Sequence, residues 1–276
     1  MLPTNSEPLS IDYVALAAID VEAMQGFYRD VVGLTVIGAT NTEVVLGVDG
    51  RALIVLQHRP DARRWRPHEA GLYHTAILLP SRSALGAFLA HAEAVGQTFT
   101  GAADHGVSEA VYLSDPEGNG VEVYADRPAS EWLLKGSEIA LYNDPLDVDA
   151  VRAAAVEPWA GAPPGTTIGH VHLQVGDIDA AEAFWTTGLG MALTNAGRDV
   201  RFLSTGGYHH HVAVNTWQSA GAARADQPRS GLAELVLSAD WPTFADLSVR
   251  HPGGAIIDPW GLAIRLEPRL TARRAA

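Results

Sequence analysis

The sequence of 276 residues contains no cysteine. That single absence removes disulfides, thiolate metal ligands, iron–sulfur clusters and a thiol nucleophile, so any metal must be held by histidine and carboxylate. Positive charge is also scarce: 19 Lys and Arg face 32 Asp and Glu, a formal net charge of −13. Such a chain has no electrostatic grip on nucleic acid or on an anionic bilayer, so neither is expected as a partner. Nowhere do 18 apolar residues run together, so no spanning helix is expected. The opening stretch from Met1 to Pro8 has neither a basic leader nor an apolar run. Export is therefore not expected, and a cytoplasmic location is. What the chain does have is 47% hydrophobic residues, only 18% charged ones and 11 histidines. This is the composition of a globular protein with one large or two ordinary domains.

The chain repeats itself. Ile11-Asp-Tyr-Val-Ala-Leu, Phe27-Tyr28 and Gly33-Leu34 recur as Ile168-Gly-His-Val-His-Leu, Phe184-Trp185 and Gly190-Met191, each 157 positions on. A second unit, from Gly71-Leu72 to Asp115-Pro116-Glu117-Gly118, recurs in shortened form from Gly231-Leu232 to Asp258-Pro259-Trp260-Gly261. Four units follow, at about 10–60, 70–128, 167–218 and 230–268. The proline-bearing stretch 129–166 reads as a linker with one short helix between Asp147 and Val156. In the first unit, Ile11 to Ala17 is a short apolar run suited to a buried strand. Asp20 is placed to cap a helix carrying Met24, Phe27, Tyr28 and Val31, and Gly33 ends it. Leu34–Ile37, Glu43–Gly47 and Ala52–Leu56 are branched runs separated by turn formers. The second unit matches, with strands at His74–Leu79, Ala110–Leu113 and Gly120–Tyr124 and a helix at about Arg82–Val95. The pattern is βαβββ, repeated four times, which predicts an α+β protein of curved mixed sheets.

Several long strings resemble the vicinal oxygen chelate superfamily, which includes glyoxalase I, fosfomycin-resistance proteins and extradiol ring-cleaving dioxygenases. They are Gly71-Leu-Tyr-His-Thr-Ala-Ile-Leu-Leu-Pro, the stretch from Asp104-His-Gly-Val-Ser to Tyr124-Ala-Asp-Arg-Pro, Ile168-Gly-His-Val-His-Leu and Gly207-Tyr-His-His-His-Val-Ala-Val-Asn-Thr-Trp. The resemblance is nearest to the two-domain catechol 2,3-dioxygenases. It implies two glyoxalase-like domains of two modules each, at 9–128 and 167–268, joined by 129–166.

In that superfamily two modules close into a cup, and a metal is held by first-strand residues of the two modules and a glutamate on a last strand. The first-strand positions here are Tyr13, His74, His170 and Glu234. The last-strand position is Glu122 in the second unit and Arg265 in the fourth, with Glu267 two residues further on the same face. Units one and two, or three and four, give incomplete sets. Units two and three give His74, His170 and Glu122, so the expected metal site joins those two units, within one chain or between subunits, with a first-half site containing Tyr13 as the fallback. Glu122 in an apolar strand needs a metal or a cationic partner, because burying a lone carboxylate costs several kcal/mol.

Two histidines and one carboxylate leave open positions on an ion, the arrangement of non-haem Fe(II) enzymes. The resemblance accordingly implies an extradiol dioxygenase using Fe(II), with Mn(II) or another divalent metal as alternatives, and taking a small aromatic diol and O₂. It further implies an acid/base histidine at His210, on a strand whose alternation turns His209 and His211 away. Tyr112 and His105 would complete the catalytic group. His172 and His58 read as structural. Other metal-dependent enzymes of the superfamily, and a metal-free binding protein of the bleomycin-sequestering kind, remain as alternatives. Repeated modules on an acidic chain are also compatible with a homo-oligomer.

Overall fold

A computed structural model of the chain describes residues 7–136, 138–253 and 255–269. The first six residues, within the stretch read above as leaderless, lie outside these ranges. The first unit consists of β1 (Leu9–Ala18), α1 (Val21–Gly26), β2 (Thr35–Ala39), β3 (Glu43–Val48) and β4 (Arg51–His58). The second has β5 (Gly71–Leu79), α2 (Arg82–Ala94), β6 (Gly101–Asp104), β7 (Ser108–Ser114) and β8 (Gly120–Asp126). The connecting stretch carries three two-residue strands, β9 (Leu134–Lys135), β10 (Glu138–Ile139) and β11 (Asp144–Pro145), and then α3 (Val148–Ala153). The third unit is β12 (Thr167–Gln174), α4 (Ile178–Ala183), β13 (Ala192–Ala196), β14 (Val200–Ser204) and β15 (Val212–Asn215). The shortened fourth unit runs β16 (Gly231–Ala239), α5 (Trp241–Arg250), β17 (Ala255–Ile257) and β18 (Ala263–Pro268). Among the described residues no helix is long and apolar enough to cross a membrane.

The helix starts follow local chemistry. The side chains of Asp20, Ser81, Asp147, Asp177 and Asp240 each accept a hydrogen bond from a backbone N–H in the first turn of the helix that follows. In units one and three the helix widens into a π turn, Phe27–Val31 and Phe184–Gly188, which buries Tyr28 and Trp185 at matching places. Gly33, at φ 81°, then turns the chain. Its carbonyl accepts from the amide of Ala162, and a Cβ here would lie 2.7 Å from that nitrogen, so glycine lets the linker pass against unit one.

The four units pair crosswise into two mixed sheets. One has the order β17-β18-β16-β1-β4-β3-β2 and joins units four and one. The other, β11-β6-β7-β8-β5-β12-β15-β14-β13, joins units two and three within one chain. At each centre two first strands run antiparallel, β1 with β16 and β5 with β12, and each is flanked on its other side by a parallel last strand. A single apolar core spans both sheets, from Leu9, Leu16 and Leu237 to Ile77, Val123 and Leu173. A second, smaller cluster of Ala76, Leu78, Ala110 and Tyr124 lies on the opposite side of the second sheet, where the polar residues gather.

Candidate metal centre

Strand register brings the polar residues of units two and three together. Ala76 on β5 pairs with Glu122 of β8 on one side and His170 of β12 on the other, and Glu122 in turn faces Tyr112 of β7. Tyr112, Glu122, Ala76 and His170 thus form one row across four strands, and alternation places His74, two residues before Ala76, on the same face. Ala76 supplies only a methyl group at the middle of that row. Above it, His74 Nε2 lies 3.1 Å from Glu122 Oε2 and 3.3 Å from His170 Nε2, and His170 Nε2 is 3.3 Å from the same carboxylate oxygen.

Two bulges aim the side chains. In the β5–β12 ladder His172 pairs with His74 and Leu173 with Leu72, so Tyr73 has no partner and its ring swings beside His172 and Trp217. On β12 the skipped residue is Gly169. A Cβ at Gly169 would sit 1.7 Å from Tyr124 Oη, so the glycine lets the tyrosine ring pass over β12 and pack against His170. Gly169→Ala is therefore expected to destabilise the fold by about 1–3 kcal/mol, as overpacked sites do. Chemical denaturation measures this, and an unchanged midpoint would show that Tyr124 has another place to go.

All three converging side chains are buried, with Glu122 only 2% exposed. Burial alone would raise the Glu122 carboxyl, but His170 and His74 outweigh it and hold its pKa well below the ordinary range. Burial pushes His170 down to about 4, opposed in part by Glu122. At neutral pH the cluster is thus a carboxylate beside unprotonated imidazole. These atoms could hold a metal ion. The spacing fits one, because bonds of ~2.0–2.2 Å give ligand–ligand edges of about 3 Å. The donor chemistry fits as well, since nitrogen and carboxylate acceptors crowd together with no Lys or Arg among them.

The other expected residues surround this cluster. His105 Nδ1 is 2.8 Å from the carbonyl of Tyr142 and its Nε2 is 2.6 Å from Tyr112 Oη. The carbonyl only accepts, so Nδ1 carries a proton. Burial, and then the charge of Glu122, keep Tyr112 protonated. The histidine triplet corrects the strand reading. His209, His210 and His211 precede β15, in the loop that leaves β14 through Gly206 and Gly207, both at positive φ. Strict alternation therefore does not apply, and the three rings go three ways. His210 lies against His170 with ring centres 4.1 Å apart, His209 reaches Asp126, and His211 meets Ser204 Oγ.

His172, read above as structural, is buried directly opposite His74, their ring centres 4.9 Å apart, and its Nε2 meets Asn215 Nδ2 at 2.9 Å. It stands two residues from His170 on one strand, so alternation was the signal that could have placed it in the cup. With Tyr73 and Trp217 it makes an aromatic wall beside the cluster. His58 is exposed at the end of β4, away from these residues.

Among the described residues, the corresponding place in the first sheet holds no such set. Arg265 bonds bidentately to Glu234, donates to Glu267 and to the Tyr13 hydroxyl, and stacks over the Tyr13 ring. A guanidinium thus takes the place where a cation would lie, and a cavity of about 310 Å³ remains beside it. Tyr13 lies in this sheet beside Arg265, whereas His74 and Glu122, its partners in a first-half site, lie in the other sheet.

The sequence profile of the Glyoxalase/Bleomycin resistance protein/Dioxygenase superfamily matches residues 10–123 and 167–240. A curated protein of Bacillus subtilis (strain 168), named catechol-2,3-dioxygenase, is 39% identical over 263 residues, covering 91% of this chain and 90% of its own. Among solved structures, glyoxalase I from Zea mays aligns with a TM-score of 0.57 at 13% identity, over 94% of this chain and 92% of its own. The cppA protein of Streptococcus pneumoniae TIGR4 gives 0.57 at 10% identity, over 94% of this chain and 100% of its own. At such low identity the last two likenesses bear on the fold alone.

Proposed function

This chain belongs to the Glyoxalase/Bleomycin resistance protein/Dioxygenase superfamily, and from that premise we propose that it is an extradiol dioxygenase holding Fe(II) and opening a catechol beside its diol with O₂. The observation that carries the reading is the convergence of His74, His170 and Glu122, two buried imidazoles and one buried carboxylate, on one face of the second sheet. A glyoxalase-type site would call for a second carboxylate. The last strand of unit three offers Val212, Ala213, Val214 and Asn215 instead.

His74, His170 and Glu122 would hold a redox-active divalent ion, which when bound would supply Lewis acidity toward the diol and a route for electrons from the ring to O₂. The protein's own groups handle protons and orientation. His210, which burial keeps unprotonated, takes a phenolic proton as general base. The Tyr112 hydroxyl, hydrogen-bonded to His105, stands beside Glu122 to hold a diol oxygen. His172, Tyr73 and Trp217 supply an aromatic wall beside the cluster against which the ring can pack. The ring bond beside the diol breaks, both atoms of O₂ enter the product, and a semialdehyde acid results.

The test is direct. Protein loaded anaerobically with Fe(II) and then exposed to air and a panel of substituted catechols should form a yellow ring-fission product that carries two ¹⁸O atoms from ¹⁸O₂. Colourless mixtures across the panel, with stoichiometric iron bound, would overturn the reading.

A further inference from the structure

Asp126, at the end of β8, lies on the same strand face as Glu122 and Tyr124. Its Oδ1 is 3.0 Å from His209 Nε2, and its Oδ2 accepts from Tyr208 Oη at 3.0 Å. Tyr208 Oη is in turn 2.8 Å from Tyr124 Oη. On the other side of the ring, His209 Nδ1 is 2.8 Å from His210 Nδ1. His209 and Tyr124 are fully buried and the Asp126 side chain is 8% exposed. The charged neighbour in sequence, Arg127, turns to Asp104 and Glu109.

Donor and acceptor roles in this chain are constrained. A carboxylate only accepts, so His209 carries its proton at Nε2. In its neutral form the His209 ring has one proton and a bare Nδ1, and the 2.8 Å contact is then made by a proton on His210 Nδ1. His210 Nε2 then carries the free lone pair. It makes no hydrogen bond among the described residues, while the ring as a whole packs against His170. We propose that Asp126 and His209 are positioning residues that fix both the orientation and the tautomer of His210, leaving Nε2 as the atom available to substrate. The inference rests on the reading of His210 as the base, and it adds two residues that touch neither substrate nor metal. Its logic is that of an aspartate orienting a catalytic histidine, extended by one ring.

Three variants and one spectrum test it. His209→Phe keeps a ring but loses both hydrogen bonds. His209→Gln supplies an amide oxygen to accept from His210 and an N–H to donate to Asp126. His210→Phe removes the base. On Fe(II)-loaded protein with a turned-over catechol, His209→Phe should lower kcat at least ~10-fold, approaching the ~10²–10⁴-fold worth of a general base, with KM changed little. His209→Gln should restore most of that loss. Long-range ¹H–¹⁵N correlations on full-length protein loaded with diamagnetic Zn(II) should show His210 protonated at Nδ1 in the native chain and in His209→Gln, and a mixture in His209→Phe. The proposal falls if native His210 carries its proton at Nε2, an outcome that needs no variant to fold. It also falls if His209→Phe leaves kcat unchanged while His210→Phe lowers it. Full kcat in His210→Phe would instead remove His210 from the mechanism, and the spectrum would still decide whether the pair sets its tautomer.

Discussion

Glu122→Gln is expected to abolish metal-dependent activity and to remove the stabilisation that metal confers. The substitution keeps shape and volume but takes away the one carboxylate in a cluster whose other members are imidazoles. Losing an outer-shell partner of a metal typically costs ~10–100-fold in affinity, and loss of the only carboxylate in the set should cost more. Two measurements separate this from general damage. In the native protein a divalent ion at a thousand times its Kd should raise stability by about 4 kcal/mol, and in the variant it should raise it hardly at all. In the absence of metal the variant should lose some stability, because the imidazoles of His170 and His74 favour the Glu122 carboxylate more than burial disfavours it, and the amide forgoes that gain. A variant that bound Fe(II) with native affinity would show that the ion is held elsewhere.

The second large effect is on acid stability. His211 is wholly buried, meets Ser204 Oγ at 2.9 Å through Nδ1, and among the described residues has no hydrogen-bond partner at Nε2. Burial, reinforced by neighbouring His209 and His170, pushes its pKa from 6.5 down to about 3. The folded state therefore prefers the neutral ring, while the unfolded chain binds a proton near pH 6.5. The resulting stability is fully present above about pH 6.5 and is lost as pH falls from there toward 3, at about 1.4 kcal/mol per unit for one such group. Between pH 6.5 and 5 the loss is ~2 kcal/mol, a large share of the ~5–15 kcal/mol of an ordinary domain. Urea titrations at pH 7.5, 6 and 5 should show this slope in the native chain and a shallower one in His211→Leu. Parallel pH profiles for the two proteins would contradict the assignment.

Much of the architecture was readable because the chain says it twice. The repeat placed β1 against β12 in kind, and the Asp-Pro-Glu-Gly turn located β8 and with it Glu122. Three residues separated by 48 positions each, His74, Glu122 and His170, were matched through the family resemblance, and the structure brings their atoms together. Other features were invisible for physical reasons. A bulge shifts register by one residue without changing the hydrophobic pattern, so neither Tyr73 nor Gly169 signals its part until the ladders are seen. The apolar spacing of Met24, Phe27 and Val31 reads as one α-helix, yet the last turn widens to π. The histidine triplet reads as the start of a strand because Val212-Ala-Val follows, whereas the chain arrives through the Gly206-Gly207 turn and, among the described residues, His211 alone of the three makes backbone bonds to the flanking strands, to Leu203 and Val171.

The crosswise pairing of units bears on how the protein is made. β1 finds its antiparallel neighbour only in β16, more than two hundred residues later, and β5 waits for β12. A ribosome releasing this chain therefore exposes bare strand edges of both nascent sheets for most of synthesis, and the first-made edge is the last to be covered. Chaperone dependence during translation, and failure of a polypeptide stopped before residue 231 to stay monomeric, follow from that order of closure.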